Sequence, residues 1–339
     1  MSDHRGTASV AEEDGPGQGA DAPGHGRRSL WSAIARLMAS RTIRWGFVAA
    51  TVGLGGYWFG VHWASVATAL GRLGFLAVAG AFISVLLGLL ASMEVWRRLL
   101  AGLGSPLPAR AAARVLFIGQ LGKYLPGSVW PVIAQMELGS EHHVPRLRSA
   151  SASVLAMLVS VLTGLLAALV TLPFVARSTS YRWVFLAAPL LVVCLHPKVL
   201  NQVLDRVLRL ARRPPLERPL SGRVVAGALA WSFSTWIGYG LQIWLLATRV
   251  GLPYGRGALL AIGGFAFAWC VGFVIVFLPV GAGVREVLLI ATLSPFIGAG
   301  AAGAVALVSR LLMTAGDLST AAVAAGFARR HPRQREASP

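Results

Sequence analysis

Long apolar runs joined by short, arginine-rich connectors set the pattern of this chain. Crossing ~30 Å of hydrocarbon takes about 20 apolar residues in a helix. Seven stretches reach or approach that length: 43–61, 74–95, 150–172, 182–197, 223–247, 257–278 and 300–327. The fourth is short and contains Pro189. Two more are apolar but broken. Stretch 115–136 is interrupted by Gly122-Lys123-Tyr124-Leu125-Pro126-Gly127, and 279–298 by Pro279, Gly281, Gly283 and Pro295. The pattern predicts an all-α, polytopic membrane helix bundle. It has about seven long spans plus two Pro/Gly-broken re-entrant or short helices. The breaks fall in the two halves of the chain, as an inverted repeat would place them.

Composition agrees. Of 339 residues, 55% are hydrophobic and 13% charged, with a mean hydropathy of +0.66. Soluble domains carry roughly 25% charged residues, so a soluble enzyme is excluded. The net charge of +18 does not mark a nucleic-acid partner, because the basic residues lie mostly between apolar runs rather than along a groove. Alternate connectors sort them into two groups. Segments 27–44, 97–148, 198–223 and 329–335 hold 23, whereas 62–73, 173–182 and 248–256 hold five. That bias predicts a multi-pass protein of the cell membrane with both termini cytoplasmic. An even number of crossings then follows. It is met if 284–298 crosses as a short or bent helix and 115–136 returns to the cytoplasmic side as a hairpin. The expected organisation is a disordered tail (1–28), an interfacial amphipathic helix (29–41), a transmembrane domain (42–327) and a basic tail (328–339).

Pro and Gly at the breaks release backbone groups that lipid cannot satisfy. Leu125-Pro126-Gly127-Ser128 and Leu278-Pro279-Val280-Gly281-Ala282-Gly283 are therefore expected inside the bundle, as parts of a transport site or as tight turns between spans. Ionisable residues within apolar segments are few: Glu94, Lys123, Glu137, Arg285, Glu286, Arg310 and Asp317. Glu94 and Glu137 lie near span ends and read as interface residues. Lys123 reads either as a snorkelling side chain or as a phosphate ligand. Arg285 could grip a phosphate bidentately, and Glu286 suits a helix N-terminus. Arg310 and Asp317 are seven residues apart, about 10.5 Å along one helix face. They are too far apart to pair, so each needs a partner from elsewhere. Glu286 is the expected partner of Arg310.

Other signals are bland. Cys194 and Cys270 read as small buried hydrophobes. Glu137, Glu141, His142 and His143 do not gather as a metal site. No cofactor or ATP-binding motif and no nucleophile–base pair is visible, so neither an enzyme nor a resident cofactor is expected. Gly298, Gly300, Ala302, Gly303 and Ala304 permit close helix approach. Trp31, Trp45, Trp63, Trp96, Tyr181, Trp183 and Tyr254 are expected to form an interfacial belt.

Two motifs resemble a known family. Gly122-Lys123-Tyr124-Leu125-Pro126-Gly127-Ser128-Val129-Trp130 is similar to the first signature of the lysylphosphatidylglycerol synthase transmembrane-region, or flippase-like, family. Leu278-Pro279-Val280-Gly281-Ala282-Gly283-Val284-Arg285-Glu286 resembles its second, and Ser309-Arg310-Leu311 fits the family's arginine in the last long helix. The stretch Val129-Trp130-Pro131 is less polar than in many relatives. The resemblance covers about residues 40–327. It implies a standalone translocating membrane domain without the synthase domain. The implied partners are membrane lipids, an anionic or aminoacylated phospholipid or a lipid-linked substrate. Candidate substrate contacts are Lys123, Pro126, Gly127, Ser128, Pro279, Gly281, Gly283, Arg285, Glu286, Arg310 and Asp317. The alternative is a non-transporting membrane anchor or regulatory subunit of a separate lipid-modifying enzyme.

Overall fold

The computed structural model describes residues 41–124, 129–175, 187–210, 212–213, 219–274 and 283–329. The chain divides into two units, 1–46 and 47–339. Of the first unit only the start of one helix is described, so the expected tail and nearly all of the interfacial helix at 29–41 lie outside the described residues. All described regular structure is helical: α1 (Arg41–Leu73), α2 (Phe75–Gly102), α3 (Ala109–Ala113), α4 (Trp130–Ser140), α5 (Arg146–Val175), α6 (Ala187–Cys194), α7 (Pro197–Leu210), α8 (Gly222–Thr248), α9 (Tyr254–Val274), α10 (Val284–Ile297) and α11 (Ala299–Arg329).

Backbone groups in hydrocarbon must bond within their own segment, and the long apolar runs become helices for that reason. Among the described residues five helices are long and apolar enough to cross a membrane: α2, α5, α8, α9 and α11. The count is six if the bent pair α6–α7 makes one span. The expected run at 43–61 lies within α1, which continues to Leu73. The run at 182–197 is described only from Ala187 onward. Its described part is the eight-residue α6, which turns by 67° into α7. No straight span is therefore described there. Helix α7 arises from a segment read as a basic connector. Its leucines recur every four residues, burying Leu200, Leu204 and Leu208, while Arg206 and Arg209 stay exposed. That period was legible but was hidden beneath the charge count.

The centre of the bundle is the seam between α2 and α8. A Cβ placed at Gly238 would stand 3.0 Å from the backbone N and Cα of Gly88, and one at Gly88 would meet the Tyr239 ring at 2.5 Å. Ser84 Oγ crosses the seam to donate to the Gly238 carbonyl at 2.8 Å. Helix α9 lies against α5 and α8. There Gly240 accepts Ile262, and Gly164 accepts Trp236 and Cys270. Gly300 of α11 packs on Ser65 of α1. These contacts need small residues because lipid is as apolar as leucine, so helices gain from close packing rather than from leaving water. Trp96 departs from the expected belt. It is 1% exposed, and its indole N–H donates to Ser153 Oγ at 3.1 Å. Trp63 and Tyr254 do lie exposed.

The seam yields a prediction. Gly238→Leu cannot fit without moving α2 and should destabilise the protein by about 3 kcal/mol or more. In Gly71→Leu the new Cβ would meet nothing within 4 Å, so that variant should stay close to wild type. Thermal unfolding in detergent, followed by size-exclusion chromatography, measures both.

Candidate functional site

The first broken segment folds as a hairpin. Its first limb is α3, a π-helical turn at Arg114–Ile118 and a 3-10 turn at Leu121–Tyr124; its second limb is α4. The limbs run antiparallel at glycine distance. A Cβ at Gly119 would meet Gln135 Cγ at 2.6 Å, and one at Gly122 would meet the Trp130 carbonyl carbon at 2.9 Å. The first limb lies along α11 and the second against α5. Helix α4 presents Pro131, Gln135 and Gly139 to its neighbours at helical spacing. Ser149 Oγ donates to the Gln135 carbonyl at 2.9 Å, and Ser153 Oγ bonds the Gln135 side chain. Ser153 is also the acceptor for Trp96. Helix α5 thus holds the second limb by buried hydrogen bonds rather than by apolar contact alone, and Trp96 of α2 joins the same network through Ser153.

The second broken segment is described from Gly283. That residue has φ 88°, a conformation that side-chain-bearing residues rarely adopt. It ends the break and starts α10. The Gly283 N–H donates to Glu286 Oε2 at 2.7 Å. This is the carboxylate half of a capping box, since glycine has no side chain to return the bond. Pro295 lies in the last turn, and Gly298 at φ 80° leads directly into α11. With 14 residues α10 is about 21 Å long, shorter than a full crossing. It packs against α11 and α9.

Both broken segments therefore converge on α11, and the ionised side chains meet there. Arg310 Nη1 lies 3.2 Å from Glu286 Oε1, the partner expected for it. Asp317 is 5% exposed. Its Oδ2 accepts from Lys123 Nζ at 2.6 Å and from Tyr124 Oη at 2.7 Å. Lys123 is thus paired with Asp317 while its side chain stays about a quarter exposed, at 26%. In the sequence Tyr124 stands out only as part of the motif; its phenol is a site component that spacing does not reveal, because its partner lies 193 positions away. Thr314 faces the Tyr124 hydroxyl, and the buried Tyr239 of α8 faces Ser92, within electrostatic reach of Asp317 and Arg285. Beside Arg310, Ser309 accepts from the fully buried Gln242 at 2.9 Å.

Arg285 stands apart. It is 6% exposed, and its guanidinium carbon sits 4.5 Å from the centroid of the Phe265 ring. Among the described residues it makes no ion pair and no side-chain hydrogen bond. The cation–π contact returns roughly 0.5–2 kcal/mol, whereas a charged side chain at membrane depth costs about 3 kcal/mol or more. The interior carries three cations (Lys123, Arg285, Arg310) against two carboxylates (Glu286, Asp317). Of the other expected contacts, Pro126, Gly127, Ser128, Pro279 and Gly281 lie outside the described residues. Glu94 pairs with Arg97 at 2.8 Å and Glu137 with Arg146 at 2.7 Å, both away from this cluster.

The model of the lysylphosphatidylglycerol synthase TM region matches residues 43–318. The chain belongs to this family. The match takes in both broken segments and α11 as far as Asp317, so the family's extent includes every ionised residue of the cluster. No curated protein matches the chain. Its membership establishes an integral membrane protein, whose five long apolar helices fit that assignment.

The geometry generates a double-mutant cycle. Lys123→Met strands the Asp317 carboxylate, and Asp317→Leu strands the Lys123 ammonium. Each should destabilise the protein by about 3 kcal/mol. The double variant should recover much of that loss, with a coupling energy of about 1–3 kcal/mol by thermal unfolding.

Proposed function

We propose that this member of the lysylphosphatidylglycerol synthase transmembrane-region family moves a phospholipid or lipid-linked substrate between leaflets of the cell membrane. The observation that carries the reading is the convergence of two broken segments on α11, with one buried arginine that forms no ion pair among the described residues. Interrupted helices at membrane depth are tolerated where they are packed in protein or line a wet path. The substrate is an anionic or aminoacylated phospholipid, whose phosphate meets Arg285 and, as the clasps open, Arg310 and Lys123. Glu286 and Asp317 balance those cations when no headgroup is present. Movement is by alternating access, or along a groove that shields the headgroup while the acyl chains stay in lipid. The reading places both termini in the cytoplasm, as the connector charges direct.

A second reading is favoured by the pairing itself. Four of the five charges are mutually compensated, as in a lock that holds helices together. The protein would then anchor or regulate a separate lipid-modifying enzyme. Asp317→Asn separates the two. An anchor loses folding or abundance in step with function, whereas a translocator yields abundant, folded protein that no longer moves lipid.

In proteoliposomes carrying headgroup-labelled lipid and a membrane-impermeant quencher, the wild-type protein should speed loss of inner-leaflet signal. The Glu286→Gln, Arg310→Ala double variant should fall to the rate of empty vesicles. Unchanged rates for wild type across phosphatidylglycerol, its lysyl ester and phosphatidylethanolamine would sink the translocation reading. A fluorescent protein fused after Pro339 should fluoresce and a periplasmic reporter at the same place should stay inactive; the reverse would overturn the assigned orientation.

A further inference from the structure

We infer that the interior site selects a net-anionic headgroup with a single phosphodiester and no ammonium group, anchored by Arg285. This rests on the reading of the cluster as a headgroup site and names the headgroup class it takes. The argument is one of charge and of occupied partners. Glu286 is engaged through both oxygens, one by the Gly283 N–H and the other by Arg310. Asp317 is engaged by Lys123 and Tyr124. Neither carboxylate offers an uncompensated charge to an incoming ammonium. Among the described residues Arg285 is the one cation of the cluster without an ion pair, and it is 6% exposed.

The placement of Arg285 favours a phosphate over a smaller anion. Phe265 takes the guanidinium on its ring, and a guanidinium held over a ring keeps its in-plane N–H groups to donate. Two parallel N–H groups match two oxygens of a phosphodiester. Residue 285 also sits in the first turn of α10, where helix dipoles favour negative charge. Glu286 already takes the Gly283 N–H of that turn, so the incoming anion is directed to Arg285. A monoanionic headgroup brings the interior to neutrality. A zwitterionic headgroup adds an ammonium with no free counter-charge, and an aminoacylated one leaves a net positive charge beside the buried Arg285. Both are disfavoured by like-charge repulsion and desolvation.

Binding is read apart from transport. The detergent-purified full chain is titrated with phosphatidylglycerol, phosphatidylethanolamine, lysylphosphatidylglycerol and inorganic phosphate, using native mass spectrometry and thermal shift. Phosphatidylglycerol should bind at least 10-fold more tightly than the other two lipids, and phosphate should give no shift at equal concentration. Arg285→Gln should weaken phosphatidylglycerol about 10- to 100-fold. Arg285→Lys should retain the charge preference with weaker binding. If Arg285→Gln fails to fold, the wild-type selectivity series and Arg285→Lys still decide. Equal or tighter binding of either ammonium-bearing lipid overturns the proposal, as does no binding of any lipid to wild type. A phosphate shift equal to that of phosphatidylglycerol overturns the lipid as the source of the anion. Selective phosphatidylglycerol binding without lipid movement sinks the transport reading alone and leaves this inference standing.

Discussion

An ionised group in a low-dielectric interior must have its counter-charge beside it, and much of this structure follows from that requirement. Asp317 is the case on which most depends. Its carboxylate is almost fully buried and is held by two neighbouring residues of the first hairpin, Lys123 and Tyr124. The pair fixes the tip of the first limb against α11. The limb is itself irregular, passing from α-helix through a π-turn to a 3-10 turn. Such backbone cannot face lipid. The ion pair and the packing of both limbs onto α11 and α5 keep it inside protein.

The same economy of polar contacts runs through the rest of the bundle. The apolar side chains gain nothing by leaving lipid for a neighbouring helix, so specificity rests on close backbone approach and on buried hydrogen bonds. Gly88 and Gly238 bring α2 and α8 together, and Ser84 bonds across that seam. Thr163 shares a bond of 2.6 Å with Ser232 and accepts from the Trp236 indole at 3.0 Å, tying α5 to α8. Gln135, Ser153 and Trp96 tie the second hairpin limb to α5 and α2. Each small polar contact sits where two helices already touch, so geometry and satisfaction reinforce one another.

Against this background Arg285 is the exception. Every other ionised residue of the cluster has a partner of opposite charge, and Arg285 has an aromatic ring. A cation so placed leaves the described cluster with one positive charge in excess. The two ion pairs also connect the broken elements to one helix, Lys123 from the first and Glu286 from the second. An anion arriving at Arg285 changes the field at both pairs, because Arg310 and Asp317 are both within electrostatic reach of Arg285. Ligand and helix packing are coupled by that shared field rather than by any long chain of contacts.

The sequence alone determined the all-helical membrane class and marked the two broken segments, through apolar run length and Pro and Gly interruptions. The distance between Arg310 and Asp317 on one helix face ruled out their pairing and left Glu286 as the expected, but not the determined, partner of Arg310. The sequence also offered the leucine period of α7, which the basic residues around it masked. It could not determine that Lys123 and Tyr124 close on Asp317, since partners almost two hundred residues apart are joined only when the hairpin packs on α11. Nor could it place Trp96, which shares the flanking arginines of an interfacial tryptophan but turns inward to Ser153. The run at 182–197, barely long enough and containing Pro189, is described from Ala187 as a short helix that turns sharply into α7, and that bend is visible only in the tertiary structure. Which of the three cations forms no ion pair among the described residues was likewise a tertiary decision. Charges can be counted along a chain, but their pairing is set by which helices come within about 4 Å of one another.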